Sequence, residues 1–346
     1  MNSEDFEDLI IFSRITGNTN SGLISFDPCK GRENTIAELI KRNHLENISI
    51  SQFIELSNQY MPSIQARRNL RKKKIADFTN LTTEEISKLS FEKKVECLET
   101  IFHKRLTNGE LADFCSKNMD KFKALLCSIQ FPKDFWNKEE RQADRFAALI
   151  ANNHQITDNM KNWQNLSLDD KKATIQSTAK VLEYVYGTPL EVKFYTSDEY
   201  RKENNLDEKA HVDAAYETEG KIFFNTDRLA SSDNYMGVSV IFHEFMHKRQ
   251  HETNFENPLI SRLFNCNVYS TVTYEKRKID SSLPEYGDIY SLMPQERHAY
   301  YMQKYVEDQI AEKTGIAKTQ EQVSETTKKM HNKSFAMAAV SRYHSV

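Results

Sequence analysis

The sequence predicts a helix-rich α+β protein, with an all-helical region over residues 1–159 and a compact α+β unit with a small sheet over residues 160–346. Three observations lead there. Gly and Pro number only 9 and 7 in 346 residues, too little turn punctuation for an all-β sandwich or barrel. Apolar residues recur at spacings of three and four through the first half, the signature of amphipathic helices. After Gly187 and Pro189 the period changes to alternation, which marks strands.

Residues 1–35 carry Gly17, Gly22, Pro28 and Gly31 and are expected to be loop-like. Ile36, Leu39 and Ile40, then Ile50, Phe53, Ile54 and Ser57, repeat at helical spacing. Pro62 is expected early in a separate segment that runs into the basic stretch Arg67 to Lys74. A long amphipathic pattern covers Leu81 to Leu106 and stops at Gly109. Leu111 to Ile129 and Lys138 to Ile150 read as further helices, separated at Pro132. Leu89-Ser90-Phe91-Glu92 echoes Leu166-Ser167-Leu168-Asp169, two Ser caps ahead of acidic first turns. Leu190 to Tyr195 alternates as a strand, and Ala214 to Asn225 reads as a hairpin turning at Glu219-Gly220. A helix over about Ser232 to Glu252 follows. The last strong helix begins at Pro294, a favourable first-turn proline, and stops at Gly315, with one more helix after it.

Lys and Arg total 47 against 50 Asp and Glu, a net charge of −3, so no global basic excess draws the chain to nucleic acid or anionic lipid. The apolar share, 39%, is enough for a sizeable core. Five cysteines, at 29, 97, 115, 127 and 266, contain no CxxC pair, which argues against a disulfide framework and a cysteine-based zinc knuckle. This is the usage of a reducing compartment. The first eight residues are acidic where an export signal would be basic. The expectation is a chain of cytoplasmic type, with delivery into another cell by a signal-independent route as its companion. Apolar runs such as Phe146 to Ile150 are far shorter than the roughly 20 residues a membrane span needs.

The chemistry sits in His243-Glu244-Phe245-Met246-His247, an HExxH motif. Four residues apart on a helix, both imidazoles reach a single ion. Glu244 is turned by about 100° and stands beside that ion, able to act as general base. Zn²⁺ is the expected metal, because it lowers the pKa of a bound water toward 7. The preceding Val238, Val240, Ile241 and Phe242 suit a buried active-site helix. A catalytic zinc takes three protein ligands. His251 lies one more helical turn along, about 6 Å on, which suits a supporting or surface role. Glu296, on a separate helix after Pro294, is the better third ligand. A Glu at this helical position also commonly serves its own N-terminus, and both roles remain open.

The stretch of about residues 163–305 resembles bacterial HExxH metallopeptidase-like domains of the gluzincin (zincin) type, several of them found in toxin and effector proteins. The features stand in the same order: Trp163 with Leu166-Ser167, the Gly187-x-Pro189 step into a strand, Ala215-Tyr216, the strand Ile222 to Asn225, HExxHxxQ from His243 to Gln250, and Pro294-x-Glu296-x-x-Ala299. The resemblance implies a zincin-like unit with zinc on His243, His247 and Glu296 and with Glu244 as base. It implies a zinc metalloprotease acting on a protein or peptide, as a secreted effector or toxin would. Phe245 and Met246 depart from the usual pattern. Two other readings stand beside it: a non-catalytic binding module on a zincin scaffold, and a nucleic-acid or nuclear-targeted adaptor using the basic run.

In proteases of this geometry an edge strand holds the substrate backbone. Tyr216 to Asn225 is either that edge or a plain structural hairpin. Tyr300 and His298 are near enough in sequence to Glu296 to suggest an oxyanion donor, but neither is assigned that role. Arg67 to Lys74 reads as a solvated helical face, since it lacks the interleaved aromatics of a single-strand platform. Asp169-Asp170 and Glu139-Glu140 read as first-turn helix charges. His211 and Asp213 read as loop residues. No phosphate-cradling glycine loop and no GxSxG elbow occurs. The region 1–159 is the expected place for a protein partner.

Overall fold

The computed structural model describes residue 6 and residues 48–101, 117–203, 214–216, 220–232, 235–266 and 292–316. Apart from Phe6, the expected segment at residues 1–35 lies outside these residues, as do the helical repeat at Ile36, Leu39 and Ile40, the helix after Gly315, His211 and Asp213. The chain divides into two compact units, the first running to Leu125 and the second holding Leu126–Asn265 and the described residues after 291. The expected division at 159/160 therefore falls inside the second unit.

In the first unit α1 spans Ile50–Asn80, α2 Thr83–Lys88 and α3 Phe91–Ile101. The Ser49 hydroxyl accepts from the Gln52 N–H while the Gln52 side chain accepts from the Ser49 N–H, a reciprocal cap. Thr82 and Glu85 repeat the arrangement at α2. The break expected at Pro62 does not occur: the proline is held inside one 31-residue helix. Packing supplies the reason, because Phe53 and Ile64, on either side of it, are buried together against Phe6. Over its described part, to Ile101, the continuous pattern expected from Leu81 to Leu106 is two helices. Ser90 restarts the second by accepting from the Lys93 N–H. The basic run lies along α1 with Lys72, Lys73 and Lys74 exposed, and Lys74 pairs with Glu96 at 3.3 Å. A fourth helix, α4 (Met119–Ser128), carries the unit division.

The second unit contains α5 (Lys133–Ala151), α6 (His154–Lys161), α7 (Leu168–Tyr186), β1 (Glu191–Tyr195), α8 (Ser197–Glu203), β2 (Ala214–Tyr216), β3 (Lys221–Asn225), α9 (Thr226–Ser231), α10 (Met236–Glu252), α11 (Pro258–Asn265) and α12 (Pro294–Thr314). Ser167 caps α7, whose first turn holds Asp169 and Asp170, as expected. Gly187 ends it at φ +67°, a left-handed conformation that costs glycine no steric strain. The chain then enters β1. The sheet order is β1-β3-β2, with β1 parallel and β2 antiparallel to β3. Val192 pairs with Ile222, and Ala215 with Phe223. The hairpin partners are as expected, but β3 is the middle strand. Among the described residues of the stretch Tyr216 to Asn225, only Tyr216 stands on an edge strand. The buried run Ile222, Phe223 and Phe224 explains why β3 is internal.

Helix α10 is the centre of the unit, packed by α12 and α7 and by strands β2 and β3. The faces of a helix that its neighbours cover should be apolar. Val238, Ile241, Phe242, Phe245 and Met246 are all fully buried. Phe245 and Met246 are thus core residues, and the Phe245 ring lies 5.0 Å from that of Tyr186. A buried lysine supports the approach to α10. Lys171 Nζ donates to the carbonyls of Leu229, Ala230 and Ser232, at 3.3, 3.2 and 2.9 Å, where α9 ends. No helix among the described residues is long and apolar enough to cross a membrane.

Candidate metal centre

His243 and His247 stand one turn apart on α10, and their Nε2 atoms are 3.1 Å from one another. Packing of α12 across α10 brings in Glu296, in the first turn of α12 behind Pro294. Its Oε2 lies 3.6 Å from His243 Nε2 and its Oε1 3.5 Å from His247 Nε2. Tetrahedral zinc with bonds of roughly 2.0–2.1 Å separates its ligand atoms by about 3.3 Å. The three spacings bracket that value. The residues read from the sequence as ligands are those that the fold gathers, and the group can hold a metal ion.

Glu296 is fully buried, and neither carboxylate oxygen has a hydrogen-bond partner among the described residues. It is therefore not spent on capping α12, the alternative the sequence left open. A buried ionised carboxylate without hydrogen bonds is costly unless a cation offsets it. Burial alone would lower the His247 pKa, but the Glu296 charge beside it outweighs that and pushes it up to about 9. Burial works in the opposite sense on Glu296, and the two imidazoles outweigh it and hold the carboxyl well below the usual range. A metal ion bound there would compete with a proton for the same electron-rich pocket.

Glu244 projects from the neighbouring face of α10 and is half-buried. Its Oε2 accepts the backbone N–H of Tyr216 at 2.8 Å. Strand β2 and the candidate base are thus joined directly. The turn leading into β3 is also tied to α10. Lys248 Nζ donates to the Gly220 carbonyl at 2.9 Å and to Glu252 at 2.7 Å. Gly220 has φ +81°, and a Cβ there would meet Lys248 Nζ at 2.9 Å.

The remaining sequence candidates separate by position. His251 is exposed and stacks on Tyr216 with centroids 5.5 Å apart, outside the ligand cluster. The Tyr300 ring lies 4.4 Å from the His243 ring. His298 is fully buried against Gln250 and Glu139 and does not face an open site. Glu139 and Glu140 are not first-turn charges, because α5 starts at Lys133. They point inward, Glu139 to Arg249 and Glu140 to the Tyr301 hydroxyl. That inward acidic pair was missed because nothing in the local sequence distinguishes it from a solvated helix start. Gln250, whose Oε1 lies 3.0 Å from His247 Nδ1, had a usable signal: it is three residues beyond His247 on the same helix.

Neither a family model, nor a curated protein, nor a solved structure matches this chain.

Proposed function

We propose that the protein is a zinc-dependent metallopeptidase that hydrolyses peptide bonds in a protein or peptide substrate. The observation that carries the reading is the spacing of His243, His247 and Glu296 at 3.1–3.6 Å, with Glu244 beside them on the same helix. The order of sequence features shared with gluzincin-type domains supports it.

His243, His247 and Glu296 would hold the metal. A zinc ion bound there supplies Lewis acidity toward a water and a peptide carbonyl. The chain's own part in the reaction is proton transfer and positioning. Glu244 accepts a proton from the attacking water as its oxygen adds to the carbonyl carbon. It then delivers that proton to the departing amine nitrogen as the C–N bond breaks. Its bond to the Tyr216 N–H keeps one oxygen tethered and leaves the other free for that transfer. The same bond sets the base next to edge strand β2, where an extended substrate can pair.

Incubation of the zinc-supplemented protein with a complex peptide mixture, followed by mass spectrometry of new termini, tests this directly. The wild type should generate new termini at repeated sequence positions and Glu244→Gln should generate none. Equal behaviour of the two proteins contradicts the reading, and a zinc-loaded wild type with no turnover favours a binding module.

A further inference from the structure

The metal-facing residues are backed by a second, fully buried polar group that runs from His247 to Arg249 by way of side chains from three helices. Gln250 Nε2 lies 2.9 Å from the Gln295 carbonyl, which can only accept, so the amide nitrogen must be on that side. Its Oε1 therefore faces His247 Nδ1 at 3.0 Å, and because this oxygen only accepts, Nδ1 carries a proton. With Nδ1 held protonated, the nitrogen that would give up its proton to a metal is Nε2, the atom that faces Glu296 and His243. The second hydrogen on Gln250 Nε2 points to His298 Nδ1 at 3.0 Å, so that nitrogen is bare and His298 carries its proton on Nε2. His298 Nε2 lies 3.4 Å from Glu139 Oε2, an electrostatic contact without hydrogen-bond geometry, and the same oxygen accepts from Arg249 Nη1 at 2.5 Å.

We propose that Gln250, His298 and Glu139 are positioning residues that fix the tautomer and aim of His247 for a metal ion, with Arg249 anchoring the far end. The proposal rests on the metal-site reading above. Each member is almost completely buried, so water cannot substitute for a missing partner. Burial alone would raise the Glu139 pKa, but the Arg249 charge outweighs it and holds the carboxyl down at about 2, so Glu139 stays an acceptor. Partners of this kind around a metal ligand typically change metal affinity about 10–100-fold.

The test uses the full chain as wild type, Gln250→Met and His298→Phe. Phe131, Phe135, Trp136 and Phe264 surround His298 with ring centroids at 5.2–6.1 Å, so a phenylalanine suits that site. Zinc affinity is read by competition with a chromophoric chelator, and the metal-free fold by urea unfolding. We expect both variants to fold and to bind zinc more weakly, Gln250→Met by about 10–100-fold. Zinc-loaded wild type should also show a slowly exchanging imidazole N–H that is absent in Gln250→Met. Folded variants that bind zinc as tightly as the wild type overturn the proposal and leave the metal site standing. A wild type that binds no zinc overturns both. If the variants do not fold, long-range proton–nitrogen correlation on the metal-free wild type decides. His298 with its proton on Nε2 supports the arrangement, and His298 with its proton on Nδ1 overturns it.

Discussion

The backbone N–H of Tyr216 donates to Glu244 Oε2 across 2.8 Å, joining β2 to the helix that carries both histidines. A glutamine at 244 keeps an acceptor for that N–H but cannot take a proton from water. Glu244→Gln should therefore retain zinc stoichiometry and lose about 10²–10⁴-fold in kcat. Parallel metal analysis and turnover measurements check this. Loss of metal together with activity would show that Glu244 acts on the ligand cluster instead.

The raised pKa of His247 gives metal binding a pH dependence of known sign. In the metal-free protein the imidazole stays protonated up to about 9, above its ordinary 6.5. Metal must displace that proton, so apparent affinity should climb by about tenfold per pH unit between these values and level off above them. The fold responds in the opposite sense. The stabilisation from the His247–Glu296 ion pair is complete below 6.5 and is lost as pH rises through about 9 in the metal-free protein. Metal competition titrations across this window check the first statement, and urea unfolding of the metal-free protein checks the second.

The Glu139–Arg249 pair is a separate source of stability. Arg249→Met strands an ionised carboxylate in the core and should cost about 3–5 kcal/mol. The depressed Glu139 pKa means that its contribution is present above 4.5 and disappears as pH falls toward about 2. Urea unfolding at neutral and acid pH should show the wild type and Arg249→Met converging as the pH falls. Parallel curves would mean that the pair contributes little.

Lys171 collects three carbonyls where α9 ends, in a setting 3% exposed. Lys171→Met leaves those acceptors without their donor and should lower stability by about 1–3 kcal/mol. A shift in the urea midpoint with an unchanged slope would bear this out, and no shift would mean that water replaces the ammonium.

Local rules were legible wherever the sequence signal is itself local. Pro294 and Gly315 bracket α12, Gly187 ends α7, and β3 over Lys221–Asn225 coincides with the second arm of the expected hairpin. The cluster of His243, His247 and Glu296 was legible because HExxH sets two side chains one helical turn apart, and Glu296 stands just inside the helix that Pro294 begins. The continuity of α1 through Pro62 was not, because it depends on Phe53 and Ile64 sharing one core with Phe6. Nor was the line from His247 to Glu139. Its members are separated by 110 residues between Glu139 and Arg249 and by 48 between Gln250 and His298, so only packing of α5, α10 and α12 brings them together.

The central claim is that His243, His247 and Glu296 bind one metal ion. The most direct measurement is elemental analysis of purified wild type and Glu296→Ala, each offered zinc and then freed of loosely bound metal. The account predicts close to one zinc per chain in the wild type and almost none in the variant. A wild type without zinc, or a variant that keeps it, would contradict the account.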